Sequence, residues 1–356
     1  MDDAKRVFDR VFKGLGGVAP VPNGPSRVAK LLGWYLKRCR NALPDRSFYF
    51  DYVKNQRVNA CAATDGSFNL IGFNVGTPFG FLKLYETLLS NPQILPDVGD
   101  PTKDPTWECD LSARDLQDGL ADLFPPAVER ITSDQTRATF IHHCTQFAMD
   151  FIYWHEIFHV LCGHVGYCVK QTHQGAAMAE LEGRPTLSAA TSQALELEAD
   201  MNAATLTGGI WLQEPLKPGI PFRDSEEALR TWAFSLAIVF LVFDQAGTRV
   251  HDYRDATHPH PAIRAGIALN TVAGMARKTA PHQEAVVDRA WEKSMRDCHD
   301  LTRVLKLRPA WLNAWESEPD VAIWSTEFLV DHLESIQHEV REYSNGRLLK
   351  AFGIHE

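Results

Sequence analysis

The chain has 356 residues, is 45% hydrophobic and carries a formal charge of −9 at pH 7, enough apolar material for a sizeable core. Its lysines and arginines are scattered rather than clustered, which argues against nucleic acid or an anionic membrane surface as partner. The opening MDDAKRVFDR has no apolar leader segment, and the longest apolar run, Trp232 to Phe243, falls short of the ~20 residues of a membrane span; no membrane span and a cytoplasmic location are expected. Seven cysteines without CxxC pairs fit reduced thiols.

In chain order, residues 1–45 read as an N-terminal helical segment. Ser47 to Val53, Val58 to Ala63 and Phe68 to Val75 then read as strands, the last two joined at Thr64-Asp65-Gly66, which predicts a small antiparallel sheet. The Pro/Asp-rich stretch Asn91 to Thr106 looks like a surface linker within an insertion spanning 90–132. A long helix is expected from Asp134 to Leu161, closing near Gly163. A second helix carries Leu195 to Leu206, and a third, very apolar one runs from Ser225 to Phe243 behind a capping box of Asp224 and Glu227. Helical spacing returns in Ala285 to Leu305 and Val321 to Tyr343. The fold class expected is α+β, mostly helical, with a core over 46–282 and a C-terminal helical extension over 283–356.

His155-Glu156-Ile157-Phe158-His159 carries the chemistry. Two histidines four apart on a helix lie ~40° apart, so both imidazoles can meet one metal ion. Glu156 sits on the neighbouring flank, where a carboxylate serves as general base. Imidazole plus carboxylate with an open position is a catalytic zinc arrangement, so one Zn2+ is expected. On the second helix Glu196 and Asp200 are one turn apart: Glu196 is the candidate third ligand, and Asp200 the acceptor for a ligand histidine, His155. Glu198 should point away into solvent. Cys162 reads as a small buried hydrophobe, His164 should point elsewhere beyond the glycine cap, and His142 and His143 lie too far upstream. His258-Pro259-His260-Pro261 taken alone reads as a turn before a helix.

These residues resemble the gluzincin metallopeptidases, specifically the family of the HtpX heat-shock proteases and the CAAX prenyl proteases. The resemblance rests on Asn59-Ala60 entering the hairpin, on His155 to His159 continued by Gly163-His164, on Glu196 to Asp200 with Ala199, and on Thr257-His258-Pro259 followed by Arg264. About half of the chain is covered. A looser likeness, in size and in the HExxH helix, is to the Lit phage-exclusion peptidases. The family's spanning helices are missing from this sequence, so membrane-embedded or prenylated substrates are not implied.

The resemblance implies a zincin-like core and hydrolysis of a protein or peptide substrate, with the edge strand at Asn59 and Ala60 pairing with it. It also implies that His258 stabilises the oxyanion, with His260 as the nearby competitor, and that Arg264 orients carboxylates or substrate. Two rivals stand beside this: a non-catalytic zinc-stabilised partner-binding protein and a hydrolase of a non-peptide amide. An intact Glu156 speaks against the first.

Overall fold

The computed structural model describes residues 2–20, 27–43, 45, 47–103, 132–172, 177–179, 187–212, 222–243, 254–304 and 323–352. The bulk of the expected insertion, residues 104–131, and Cys109 lie outside them. The described chain is mostly helical with one small sheet, an α+β arrangement.

Helices α1 (Asp2–Phe12) and α2 (Arg27–Ala42) precede strands β1 (Phe48–Val53), β2 (Ala60–Thr64) and β3 (Asn69–Asn74). The β2–β3 hairpin forms where the turn residues predict it: Asp65 Oδ1 accepts from the N–H groups of Ser67 and Phe68 at 3.0 and 2.9 Å, and Gly66 takes φ +87°. The sheet itself is mixed rather than antiparallel. Its order is β1-β3-β2-β4, and β1 runs parallel to β3, Phe48 opposite Asn69. Leu70 to Asn74 are buried, so β3 belongs in the middle of a sheet covered on both faces, and β1 must pair on its far side. The fourth strand, β4 (Ala177–Ala179), lies antiparallel to β2 with Cys61 opposite Ala179. The edge of β2 expected to be free is therefore occupied.

Helix α3 (Gly76–Leu89) follows β3 and was not legible, because nearly all of it is buried and no amphipathic stripe distinguishes one face. Part of the expected surface linker is also docked: Ile94, Leu95 and Val98 are buried. Arg137 holds that loop by donating to the carbonyls of Leu89, Ile94, Leu95 and Val98 at 2.6–3.1 Å.

Helix α4 (Gln135–Leu161) is the central element. Asp134 caps it by accepting from Thr136 and Arg137 N–H, and most of its residues are buried. It packs against the sheet, α3, α6 (Ala189–Gly209) and α7 (Ser225–Phe243). Between α4 and α6 lie the short α5 (His164–Thr172) and β4. Asp224 accepts from Glu227 N–H at 2.9 Å at the start of α7, but the Glu227 carboxylate closes on Arg223 N–H, one residue earlier than a capping box. Helix α7 is buried along its length as a core helix, and no described helix is long and apolar enough to cross a membrane. Helices α8 (Pro261–Thr279), α9 (Glu284–Val304), α10 (Leu329–Arg341) and α11 (Gly346–Ala351) follow among the described residues. The six described cysteines are all buried.

Candidate metal centre

On α4, His155 and His159 fall one turn apart and bring their Nε2 atoms to 2.8 Å. Glu196, on α6, places Oε2 3.3 Å from His155 Nε2 and Oε1 3.4 Å from His159 Nε2. Three potential ligand atoms from two helices thus converge, and these residues could hold a metal ion. His155, Glu156 and His159 are only 1–2% exposed and Glu196 5%. Burial pushes the His159 imidazole down to about 4, so it is neutral near pH 7 and offers a lone pair. Burial also pushes the Glu196 carboxyl upward, but the neighbouring His159 and His258 outweigh it and hold this group well below the usual carboxylate range.

The other face of His155 is fixed by charge. Its Nδ1 lies 2.9 Å from Asp200 Oδ1. Asp200 is fully buried and takes two bonds from Arg264, Nε to Oδ2 at 2.7 Å and Nη2 to Oδ1 at 2.9 Å. Arg264 Nη2 also donates to Glu196 Oε2 at 3.3 Å, while its guanidinium lies over the Phe240 ring. The Asp200 carboxylate favours the proton of His155 on the adjacent Nδ1, which leaves Nε2 with a lone pair toward His159 Nε2 and the Glu196 carboxylate. Acceptors crowded this closely repel one another unless a cation sits among them, and two imidazoles with a carboxylate suit a divalent ion.

The structure brings together His155, His159, Glu196, Asp200 and Arg264, with Glu156 buried beside His155 on the same helix. Arg264 engages carboxylates from a buried position, so any orienting it does acts through Asp200 and Glu196. His258 Nε2 lies 3.7 Å from Glu196 Oε1, and its side chain is 23% exposed, much more open than His155, His159 and Glu196. Its Nδ1 meets the Thr257 hydroxyl at 2.9 Å. His260 is no competitor for that position: it is buried and caps α8, Nδ1 accepting from Ala262 N–H at 3.2 Å, and burial lowers it to about 4.

Asn59 and Ala60 sit elsewhere than expected for a strand open to substrate. Asn59 N–H donates to the Thr77 hydroxyl, Asn59 O accepts from the same hydroxyl and from Asn74 N–H, and Ala60 N–H is taken by Asn59 Oδ1. With β4 along the rest of β2, the outermost strand on that side is β4.

Two residues set aside in the sequence lie against the site. His164 does not point away: its Nδ1 is 2.9 Å from His159 Nδ1, and its Nε2 is 2.8 Å from Glu198 Oε2. Counting 100° per residue fails because α4 stops at Leu161, Gly163 turns at φ +93°, and α5 begins a new axis at His164. Glu198 is buried instead of solvated, and Arg341 from α10 bonds its second oxygen. The C-terminal segment supplying Arg341 gave no motif, so only tertiary contact reveals it. Cys162 is buried as expected, and burial pushes its thiol up to about 12.

No family model matches the chain, and neither a curated protein nor a solved structure matches it.

Proposed function

We propose that the chain is a zinc-dependent endopeptidase with a zincin-like core, akin to the gluzincin group, acting on a protein or peptide substrate in the cytoplasm. The observation that carries this reading is the convergence of His155 Nε2, His159 Nε2 and the Glu196 carboxylate beside the buried Glu156.

His155, His159 and Glu196 would hold the zinc, which when bound supplies Lewis acidity toward a carbonyl and an attacking water. Glu156 takes the proton from that water and returns it to the leaving amine. His258, on the more open side of Glu196, donates to the oxyanion that develops on the scissile carbonyl. Arg264 and Asp200 keep His155 oriented and Glu196 ionised. An extended substrate adds along the outer strand β4, or takes the place of β4 on β2.

A second reading, a non-catalytic zinc-stabilised binding protein, is favoured by the deep burial of the ligands and by the cover β4 gives β2. Zinc content measured together with cleavage of a broad peptide library separates the two, in wild type, Glu156→Gln and Glu196→Ala. One zinc in wild type, lost in Glu196→Ala, with cleavage only by wild type, supports the peptidase. Zinc retained without any cleavage supports the binding protein, and a wild type without zinc sinks both.

A further inference from the structure

Behind His159 runs a chain of buried polar groups that leads out of the catalytic helix and ends in the C-terminal segment. His159 Nδ1 meets His164 Nδ1 at 2.9 Å, His164 Nε2 meets Glu198 Oε2 at 2.8 Å, and Glu198 Oε1 meets the Arg341 guanidinium. All three inner groups are buried, and the arginine at the far end favours one sense for the hydrogen bonds. A guanidinium has donors and no acceptor, so the Glu198 carboxylate accepts from Arg341 and also accepts from His164 Nε2–H. In a neutral imidazole the other nitrogen then accepts, so His164 Nδ1 receives the His159 Nδ1–H. His159 Nε2 is left with its lone pair turned toward His155 Nε2 and Glu196.

This is a second arm with the same logic as the first. His155 is set by Asp200 and Arg264, and His159 by His164, Glu198 and Arg341. Both arms end in a buried carboxylate held by arginine.

The junction that delivers Arg341 is built to close tolerance. Arg341 Nη1 donates to Cys162 O at 3.2 Å, and Asn345 N–H donates to Leu161 O at 2.9 Å. The end of α4 thus has its free carbonyls satisfied from the C-terminal segment. Gly163 and Gly166 make room for it: a Cβ on Gly163 would stand 2.3 Å from Val340 O, and one on Gly166 2.7 Å from Tyr343 Cβ.

Cys162, His164 and Glu198 also bring their ligand atoms within 4.8 Å of one another. A second cation there is disfavoured, because Arg341 already places a positive charge on Glu198 and burial keeps the thiol protonated.

We infer that His164, Glu198 and Arg341 are positioning residues for the metal centre, and that the C-terminal helix α10 is thereby a working part of it, fixing the His159 tautomer through this relay. The inference rests on the zinc reading above. It deepens that reading by giving His164 a role and by adding Glu198 and Arg341, which neither the motif nor the family likeness supplies.

The test is zinc affinity by chelator competition on the full chain, with the visible spectrum of the Co2+-loaded protein as a second readout. The variants are Glu198→Gln, Arg341→Met and Arg341→Lys. His332→Ala is the control, since His332 ties the same helix to α6 through Thr191 at 3.0 Å without touching the relay. Glu198→Gln and Arg341→Met should bind zinc about 10–100-fold more weakly and alter the Co2+ bands, Arg341→Lys should recover part of the affinity, and His332→Ala should match wild type. Unchanged affinity and Co2+ spectra in the first two variants would overturn the inference while leaving the metal site standing. An equal loss in His332→Ala would also overturn it, by showing that loosening α10 suffices. A wild type that binds no zinc overturns the metal reading and this inference together.

Discussion

Arg264 grips Asp200 with two nearly parallel bonds, 2.7 Å from Nε and 2.9 Å from Nη2, in a place where both residues are buried. The guanidinium is the positive charge beside two buried carboxylates, since it reaches Glu196 as well. Removing it leaves charge uncompensated in a low-dielectric interior. Arg264→Met should lower stability by about 3–5 kcal/mol. Arg264→Lys should recover only part, because a lysine cannot reproduce the fork. Urea unfolding of the metal-free proteins measures both, and a loss under 1 kcal/mol in Arg264→Met would refute the pairing.

Zinc should stabilise the fold by mass action. At a free concentration one thousand times Kd it adds about 4 kcal/mol to unfolding. Wild-type protein should therefore melt higher with zinc than after chelation. His155→Ala and Glu196→Ala should show no such difference, and calorimetry with and without the chelator checks it.

Asp150 gives a pH signature away from the site. Burial raises its carboxyl to about 6, even with Arg38 Nη2 at 2.7 Å. Between about pH 4 and 6 the folded chain then binds the proton that the unfolded chain has released, so this contribution is complete below pH 4 and is lost as pH rises through 6. Relative to Asp150→Asn, wild type should lose on the order of 1–3 kcal/mol from pH 4 to pH 7. Paired denaturation curves at the two pH values decide, and a parallel pH dependence of the two proteins would contradict it.

Gly163 is the residue on which docking of the C-terminal segment turns. Its φ of +93° is costly for any side chain, and a Cβ would press on Val340 O. Gly163→Ala should cost at least about 1–3 kcal/mol and speed proteolysis within 329–352. A variant with wild-type stability and wild-type digestion would show that the contact is not needed.

The histidines, Glu196 and Asp200 were legible because helical spacing alone fixes which residues share a face, and α4 and α6 are regular helices over the stretches concerned. The β2–β3 hairpin and the glycine stop after α4 were legible through local turn and capping chemistry. The parallel pairing of β1 with β3 was not, since a strand buried on both faces carries no alternation to reveal its neighbours. Nor was β4: three residues hold no pattern. His164 was misread because its direction depends on the break at Gly163, and Glu198 because helix geometry says where a residue points but not what another part of the chain brings to meet it. Arg341 is the clearest instance, a lone arginine near the end of an amphipathic helix whose partners lie far back in the sequence.

The carbonyls of Leu161 and Cys162 are satisfied by Asn345 and Arg341, and this sets an order of events during synthesis. The helix bearing His155 and His159 leaves the ribosome long before the residues that finish its end. Until those arrive, the last turn of that helix has only water to bond with and is free to fray, and His164 and Glu198 wait without their arginine. A nascent chain that has not yet exposed residues 341–345 would carry the whole HExxH motif and still lack a finished terminus for its helix.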